Sequence, residues 1–205
     1  MYMQKILKGI GGIQDQEAQD ILLQKGIFCN WWRNQLPPPD LADIETQLTE
    51  PNLDQHLNNY PAYGPRTPFI STTAGAIQQD HFRARNIVYP PLMTALEFAT
   101  DGYQRVGYIF YGYVFTLGQK TVILREFAEE VRELHIYTQY LQYHHEGEIV
   151  AKIHIPSVRL EKVEKYDPQQ MLADLHAQNI PQASWSQPNP NYQKPKQYAN
   201  IRGVL

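Results

Sequence analysis

The chain has 205 residues, a formal net charge of −3 and 42% hydrophobic residues, which fits one globular domain with a sizeable core and excludes a disordered chain. Weak acidity argues against a general nucleic-acid coat protein, although a local basic patch is compatible with it. The single cysteine, Cys29, permits no disulfide within the chain, no apolar run reaches the roughly 20 residues of a membrane span, and the start, MYMQKILKGIGGIQ, lacks the apolar centre of a secretory signal.

Fourteen tyrosines and 15 prolines point to a β-containing fold with many irregular connections. Residues 14–25 have the spacing of an amphipathic helix, with Ala18, Ile21 and Leu22 on one face and Gly26 as a stop. GIFCNWWRN reads as a buried aromatic strand that three prolines end, and Asp40 is placed to cap a short helix over 41–48. Residues 49–68 read as turn, with NNYPAYGPRTP the strongest loop signal, and FISTT as a short strand. Residues 75–91 are ambiguous and carry His81, Arg83 and Arg85. PLMTALEFATDG reads as a helix, and RVGYIFYGYVFTLG has the clearest strand pattern. Residues 121–143 suggest a strand, a helix and an aromatic loop. EIVAKIHI is a strand, VRLEKVEKY its continuation after Pro156, and PQQMLADLHAQN the last helix. From 180 onward Pro, Gln and Asn dominate, as in an extended tail.

Three stretches carry chemistry. In HHEGEIVAKIHIP a period of two puts Glu146 and Glu148 on one face, with Ile149, Ala151, Ile153 and Ile155 on the apolar reverse. Their Cβ atoms should then lie about 6–7 Å apart, close enough for one carboxylate to raise the pKa of the other. In FISTT, the hydroxyls of Ser71, Thr72 and Thr73 can fix a carboxylate or an arginine. In NWWRNQLPPPD, Arg33 offers a guanidinium suited to phosphate. Taken singly, each has an ordinary explanation: a solvated strand end, strand-end hydroxyls, an arginine lying over aromatics.

Their order resembles the mono-ADP-ribosyltransferases of the Arg/Ser-Thr-Ser/Glu type, the group of the cholera and pertussis toxins. The resemblance is nearest to the pertussis-like catalytic subunits and covers roughly residues 27–166. WRNQLPPPD resembles an arginine followed by a Pro-Pro-acidic turn, PFISTT the Ser-Thr-Ser strand, and VGYIFYGYVF a Gly-Tyr-Ile-Tyr strand between the motifs. EIVAKIHIPSVRLEKVEKY resembles the strand that starts at the catalytic glutamate and reaches an Ile-Pro pair. The chain departs from the pattern in having Ser-Thr-Thr, and its segments 75–91 and HIYTQYLQYHH have no clear counterpart.

The resemblance implies an α+β ADP-ribosyltransferase fold: two small twisted β-sheets around an NAD cleft, with flanking helices. It implies one catalytic domain over 1–179, with its N-terminal helix at 14–25, while composition makes 180–205 a Pro/Gln/Asn-rich extended tail that wraps the body or awaits a partner. NAD is the substrate, and no metal is required. Glu148 would sit beside the ribose, and Glu146 would orient or deprotonate the acceptor. Arg33 would contact the phosphate or ribose side of NAD. Ser71 would brace Glu148 and Arg33, with Thr72 and Thr73 supporting the strand. The acceptor-facing loop would carry Tyr140, Tyr143, His144 and His145. A glutamate at position 146 goes with arginine acceptors in this group, so a protein acceptor ranks ahead of nucleic acid. An immunity or antitoxin protein is a further expected partner. The expected location is the cytoplasm, or a target cell reached without a cleaved signal. The competing readings are ADP-ribosylation of nucleic acid, NAD hydrolysis, and a lapsed site kept as a binding module.

Overall fold

A computed structural model describes residues 1–35, 40–80, 85–131 and 146–195. In chain order the elements are β1 (Tyr2–Gly11), α1 (Asp15–Asp20), β2 (Ile27–Phe28), α2 (Asn30–Asn34), α3 (Leu41–Glu45), α4 (Glu50–Asn58), α5 (Tyr60–Tyr63) and β3 (Phe69–Thr73). Then come β4 (Ala76–Asp80), β5 (Arg85–Tyr89), α6 (Pro91–Thr100), β6 (Gly107–Thr116), β7 (Glu129–Glu130) and β8 (Glu148–Lys152). β9 (His154–Ile155), β10 (Leu160–Tyr166), α7 (Pro168–His176) and β11 (Trp185–Pro188) complete the set. The α+β layout expected from the sequence is present. Its strands form a seven-stranded sheet, ordered β11-β10-β6-β1-β3-β8-β7, and two two-stranded sheets, β2-β9 and β4-β5.

The central strand is β1. It pairs antiparallel with β6 along all ten residues, from Tyr2 opposite Thr116 to Gly11 opposite Gly107. With β3 it pairs at one position only, Leu7 opposite Thr73. Both faces of β1 are covered. Ile6 and Ile10 belong to the largest core cluster, with Phe110, Val114, Ile149 and Leu160. Leu7 packs on the other side with Ala95, Leu96 and Ala99 of α6. Helix α6 lies so close to the strand that a Cβ on Gly9 would stand 2.2 Å from the Ala95 carbonyl oxygen, so only glycine fits there.

The structure corrects four local readings. Residues 27–34 are not one strand: β2 stops at Phe28, Cys29 is the extended N-cap residue, and α2 carries Trp31, Trp32 and Arg33. Residues 49–68 are not turn: Thr49 caps α4 by accepting from the Asn52 N–H at 3.3 Å, Pro51 sits in the first turn, and α5 follows. VRLEKVEKY does not extend β8. A 3-10 turn (Ser157–Arg159) intervenes, and β10 crosses to pair with β6. The 149–155 segment does not keep one apolar face. Ile153 has φ +60°, and its side chain joins Val150 in a second core cluster, away from Ile149, Ala151 and Ile155.

Two polar arrangements fix the periphery. Lys152 and Glu129 form a fully buried ion pair at 2.5 Å. The carboxylate also accepts from the Thr121 N–H and hydroxyl, while the ammonium donates to the carbonyls of Thr121 and Leu124 at 2.7 and 3.0 Å. Beyond residue 180, β11 adds an edge strand beside β10. The Asn189 side-chain amide then lies within 3.0 Å of the carbonyls of Leu22, Ser157 and Leu160.

Candidate active site

Where β1 and β3 part, beyond their single pairing position, a cavity of about 590 Å³ opens. One wall is residues 7–11 of β1, and the other is β3 with the start of β8. Arg33, His56, Ser71, Thr72, Thr73, Glu146 and Glu148 all line it.

Glu148 is the first residue of β8 and sits opposite Thr73. Its position is set by hydroxyls of β3. Thr72 Oγ1 donates to the Ile149 carbonyl at 2.6 Å, and Thr73 Oγ1 donates to the Glu146 carbonyl while accepting from the Gly75 N–H at 3.0 Å. Gly147 has φ +57°, and a Cβ there would lie 1.9 Å from the Gly75 carbonyl oxygen. Glycine is thus required by the backbone itself. The left-handed turn also means that Glu146 precedes the strand instead of sharing a strand face with Glu148. Both carboxylates nevertheless reach the cavity.

Ser71 Oγ lies 2.9 Å from His56 Nε2, and its hydroxyl acts to lower the Glu148 pKa. His56 Nδ1 lies 2.9 Å from Thr67 Oγ1, which also accepts from the Phe69 N–H at 3.1 Å. Which His56 nitrogen carries the proton sets the direction of both bonds, and one tautomer leaves the Ser71 hydroxyl free to turn toward Glu148. In that tautomer Nε2–H donates to Ser71 Oγ, and Nδ1 accepts from Thr67 O–H. His56 is 2% exposed, and burial, then the charge of Lys8, hold its pKa down to about 3. It is therefore neutral, and its 3.8 Å approach to Glu148 is a dipolar contact and not an ion pair.

The two carboxyls have different electrostatics. Burial raises the pKa of Glu148, while the Ser71 hydroxyl and the Lys8 ammonium pull it back. Glu146 is pushed up to about 7, by burial first, then by Glu148, then by Glu97 of α6. A buried, hydrogen-bonded carboxylate beside one that titrates near neutrality can divide electrostatic and proton-transfer work.

Arg33 lines the cavity but does not meet Ser71, whose side-chain partners are His56 and Glu148. Its guanidinium faces Glu17 at 3.6 Å and is 42% exposed. Tyr140, Tyr143, His144, His145 and Arg83 lie outside the described residues, and Arg85 falls on β5. Sequence reasoning missed Lys8 and His56. The signal for His56 was available: with Leu53 it forms the buried stripe of α4 at helical spacing. Among the described residues no group of three His, Cys, Asp or Glu side chains could hold a metal, and no helix is long and apolar enough to cross a membrane.

No family model and no curated protein matches the chain. Solved structures do. EcPltA matches at 14% identity and a TM-score of 0.49, over 99% of this chain and 94% of that one. The catalytic domain of the mosquitocidal toxin from Bacillus sphaericus matches at 13% identity and a TM-score of 0.45, over 97% of this chain and 64% of that one. Heat-labile enterotoxin matches at 11% identity and a TM-score of 0.44, over 92% of this chain and 75% of that one.

Proposed function

We propose that the protein is a mono-ADP-ribosyltransferase, acting as a toxin or effector, that cleaves NAD and transfers ADP-ribose to a macromolecular acceptor. The observation that carries this reading is the Thr67–His56–Ser71 line of 2.9 Å contacts beside Glu148, which with Glu146 presents two carboxyls to a cavity of ligand size. The nicotinamide–ribose C–N bond breaks, and its electron pair leaves with nicotinamide. Positive charge grows on the ribose, and the Glu148 carboxylate, already oriented by Ser71, stabilises it without reorganising. The acceptor nucleophile bonds to the ribose carbon, and its proton passes to Glu146, whose pKa of about 7 suits a general base.

Protein arginine is the favoured acceptor, since Glu146, which lines the cavity with Glu148, would attract a guanidinium. With water as acceptor the same residues would make an NAD glycohydrolase. Incubation with NAD and a whole-cell lysate separates these outcomes, with mass spectrometry of protein and nucleic acid. Wild type should label macromolecules, and Glu148→Gln should lower that rate by about 100-fold or more. Free ADP-ribose without labelled macromolecule would indicate hydrolysis. No release of nicotinamide by folded wild-type protein would end the enzyme reading.

A further inference from the structure

Helix α6 forms a wall of the cavity that no motif marked. Its inner face packs on β1: Leu96 and Ala99 are buried in one cluster with Leu7, and a Cβ on Gly9 or Gly11 would stand 2.2 Å from the Ala95 or Ala99 carbonyl oxygen. The Thr100 hydroxyl ties the last turn, donating to the Leu96 carbonyl at 2.6 Å and accepting from the Tyr103 N–H at 2.8 Å. The helix therefore has no room to move closer to the strand. Thr94 and Phe98, one turn apart on it, line the cavity together with Glu146.

A singly exposed apolar side chain is ordinary, but the place of Phe98 is not. It is 64% exposed, and of the large apolar side chains left exposed among the described residues only Phe98 and Tyr60 line the cavity. Tyr60 is engaged: its hydroxyl accepts from the Asn30 amide at 3.2 Å, and its ring stands edge-on to His56. The Phe98 ring has no aromatic or cationic partner among the described residues. Its neighbour Glu97 is exposed and forms no ion pair among them. The charge of Glu97 reaches Glu146, adding to the burial and the Glu148 charge that raise the Glu146 pKa. Two carboxyls and an open aromatic face on one wall suit a planar cation.

We infer that Phe98 and Glu97 of α6 form the acceptor subsite, the Phe98 ring serving as the platform for the guanidinium of an acceptor arginine, with Glu97 and Glu146 at its edge. The inference rests on the reading of the site as an ADP-ribosyltransferase. A guanidinium stacks by its flat face on an aromatic ring and offers its N–H groups to carboxylates in its own plane. Held there, one guanidino nitrogen bonds to the ribose carbon. The C–N bond to nicotinamide breaks, its electron pair leaves with nicotinamide, and the proton of the attacking nitrogen passes to Glu146. Arg105 also lines this wall and would suit the phosphate of a nucleic-acid acceptor, but Glu97, Glu146 and the exposed Asp101 at the end of α6 outnumber it.

Steady-state kinetics with NAD and agmatine, a small alkylguanidine, tests this, with released nicotinamide and ADP-ribosyl-agmatine measured separately and a single-stranded oligonucleotide offered in parallel. Wild type should modify agmatine. Phe98→Ala should raise KM for agmatine by about 5- to 30-fold, the span of a cation–π contact, and shift KM for NAD by less than about threefold. Phe98→Leu keeps the bulk without the π face and should lose agmatine in the same way, so a folding defect in the alanine variant does not hide the result. Phe98→Tyr should stay near wild type. Glu97→Gln should raise KM for agmatine by about 2- to 5-fold, an effect that fades as salt screens exposed charges. An unchanged KM for agmatine in Phe98→Ala and Phe98→Leu overturns the inference. So does an equal rise in KM for NAD, which would mean that Phe98 serves the dinucleotide. Wild type that releases nicotinamide but passes ADP-ribose only to water or the oligonucleotide overturns the arginine subsite and leaves the NAD reading standing. Wild type that releases no nicotinamide overturns the NAD reading itself.

Discussion

Replacing Glu146 with glutamine should stabilise the fold above pH 7 and leave it unchanged near pH 4. Glu146 sits half-buried on the turn before β8, and its surroundings raise its pKa from 4.5 to about 7. Below 4.5 the carboxyl is protonated in both folded and unfolded chains, so it costs nothing. Between 4.5 and about 7 the unfolded chain ionises and the folded one resists, so stability falls as pH rises. At 1.36 kcal/mol per pH unit, that window amounts to about 3 kcal/mol at most. The side chain keeps some contact with water, and screening reduces the expected gain to about 1–2 kcal/mol. Urea unfolding of wild type and Glu146→Gln at pH 4, 6 and 8 measures it. The difference should be near zero at pH 4, rise through pH 6 and level off by pH 8. A difference that is the same at every pH, or a glutamine variant less stable at pH 8, would refute the view that the fold holds Glu146 against its own charge.

Three other outcomes follow from the same geometry. Gly147→Ala must place a side chain at φ +57° against the Gly75 carbonyl, which costs about 1–2 kcal/mol from the dihedral alone; the urea midpoint should drop, and NAD turnover should fall with it as both carboxyls shift. Lys152→Met leaves Glu129 buried and unpaired, so thermal unfolding should show a loss of about 3–5 kcal/mol, and a further Glu129→Leu change should restore most of it. Asn189→Ala strands carbonyls that the amide now satisfies, and hydrogen exchange in β11 should speed up with a stability loss of about 1–3 kcal/mol.

How far the sequence could be read depended on how local each signal was. FISTT and EIVAK stand out because short β-rich runs are bounded by proline or glycine, and both are strands that pair with each other. Residues 14–25 show a helical stripe, and Asp40, Pro91 and Pro168 mark helix starts that the structure keeps. The strand β1 was invisible because it is central. Cover on both faces removes the alternation that marks a half-buried strand, and Lys5 and Lys8 interrupt its apolar run. Missing β1 meant missing Lys8. Likewise Thr49, Pro51 and Asn52, which open α4, are also turn formers, so the helix that presents His56 looks like a loop in sequence. The glutamate pair was recognisable as a pair, but its geometry was not. A period of two assumes regular backbone, and the φ of Gly147 becomes evident only where the chain folds against Gly75.

The pairing of β1 with β6 joins parts of the chain about a hundred residues apart, Gln4 with Val114 and Ile10 with Tyr108. Such long loops close slowly, because their entropy is spent before the contacts form. Around the cavity, Lys8, His56 and Ser71 all emerge from the ribosome well before Glu148. The strand bearing that glutamate must then dock beside β3 to complete the hydrogen-bond chain. During synthesis three residues that line the cavity are therefore made long before the strand that pairs with β3 along its whole length. On the proposed function, a chain interrupted anywhere before residue 148 lacks the carboxylate placed beside the ribose and should turn over no NAD.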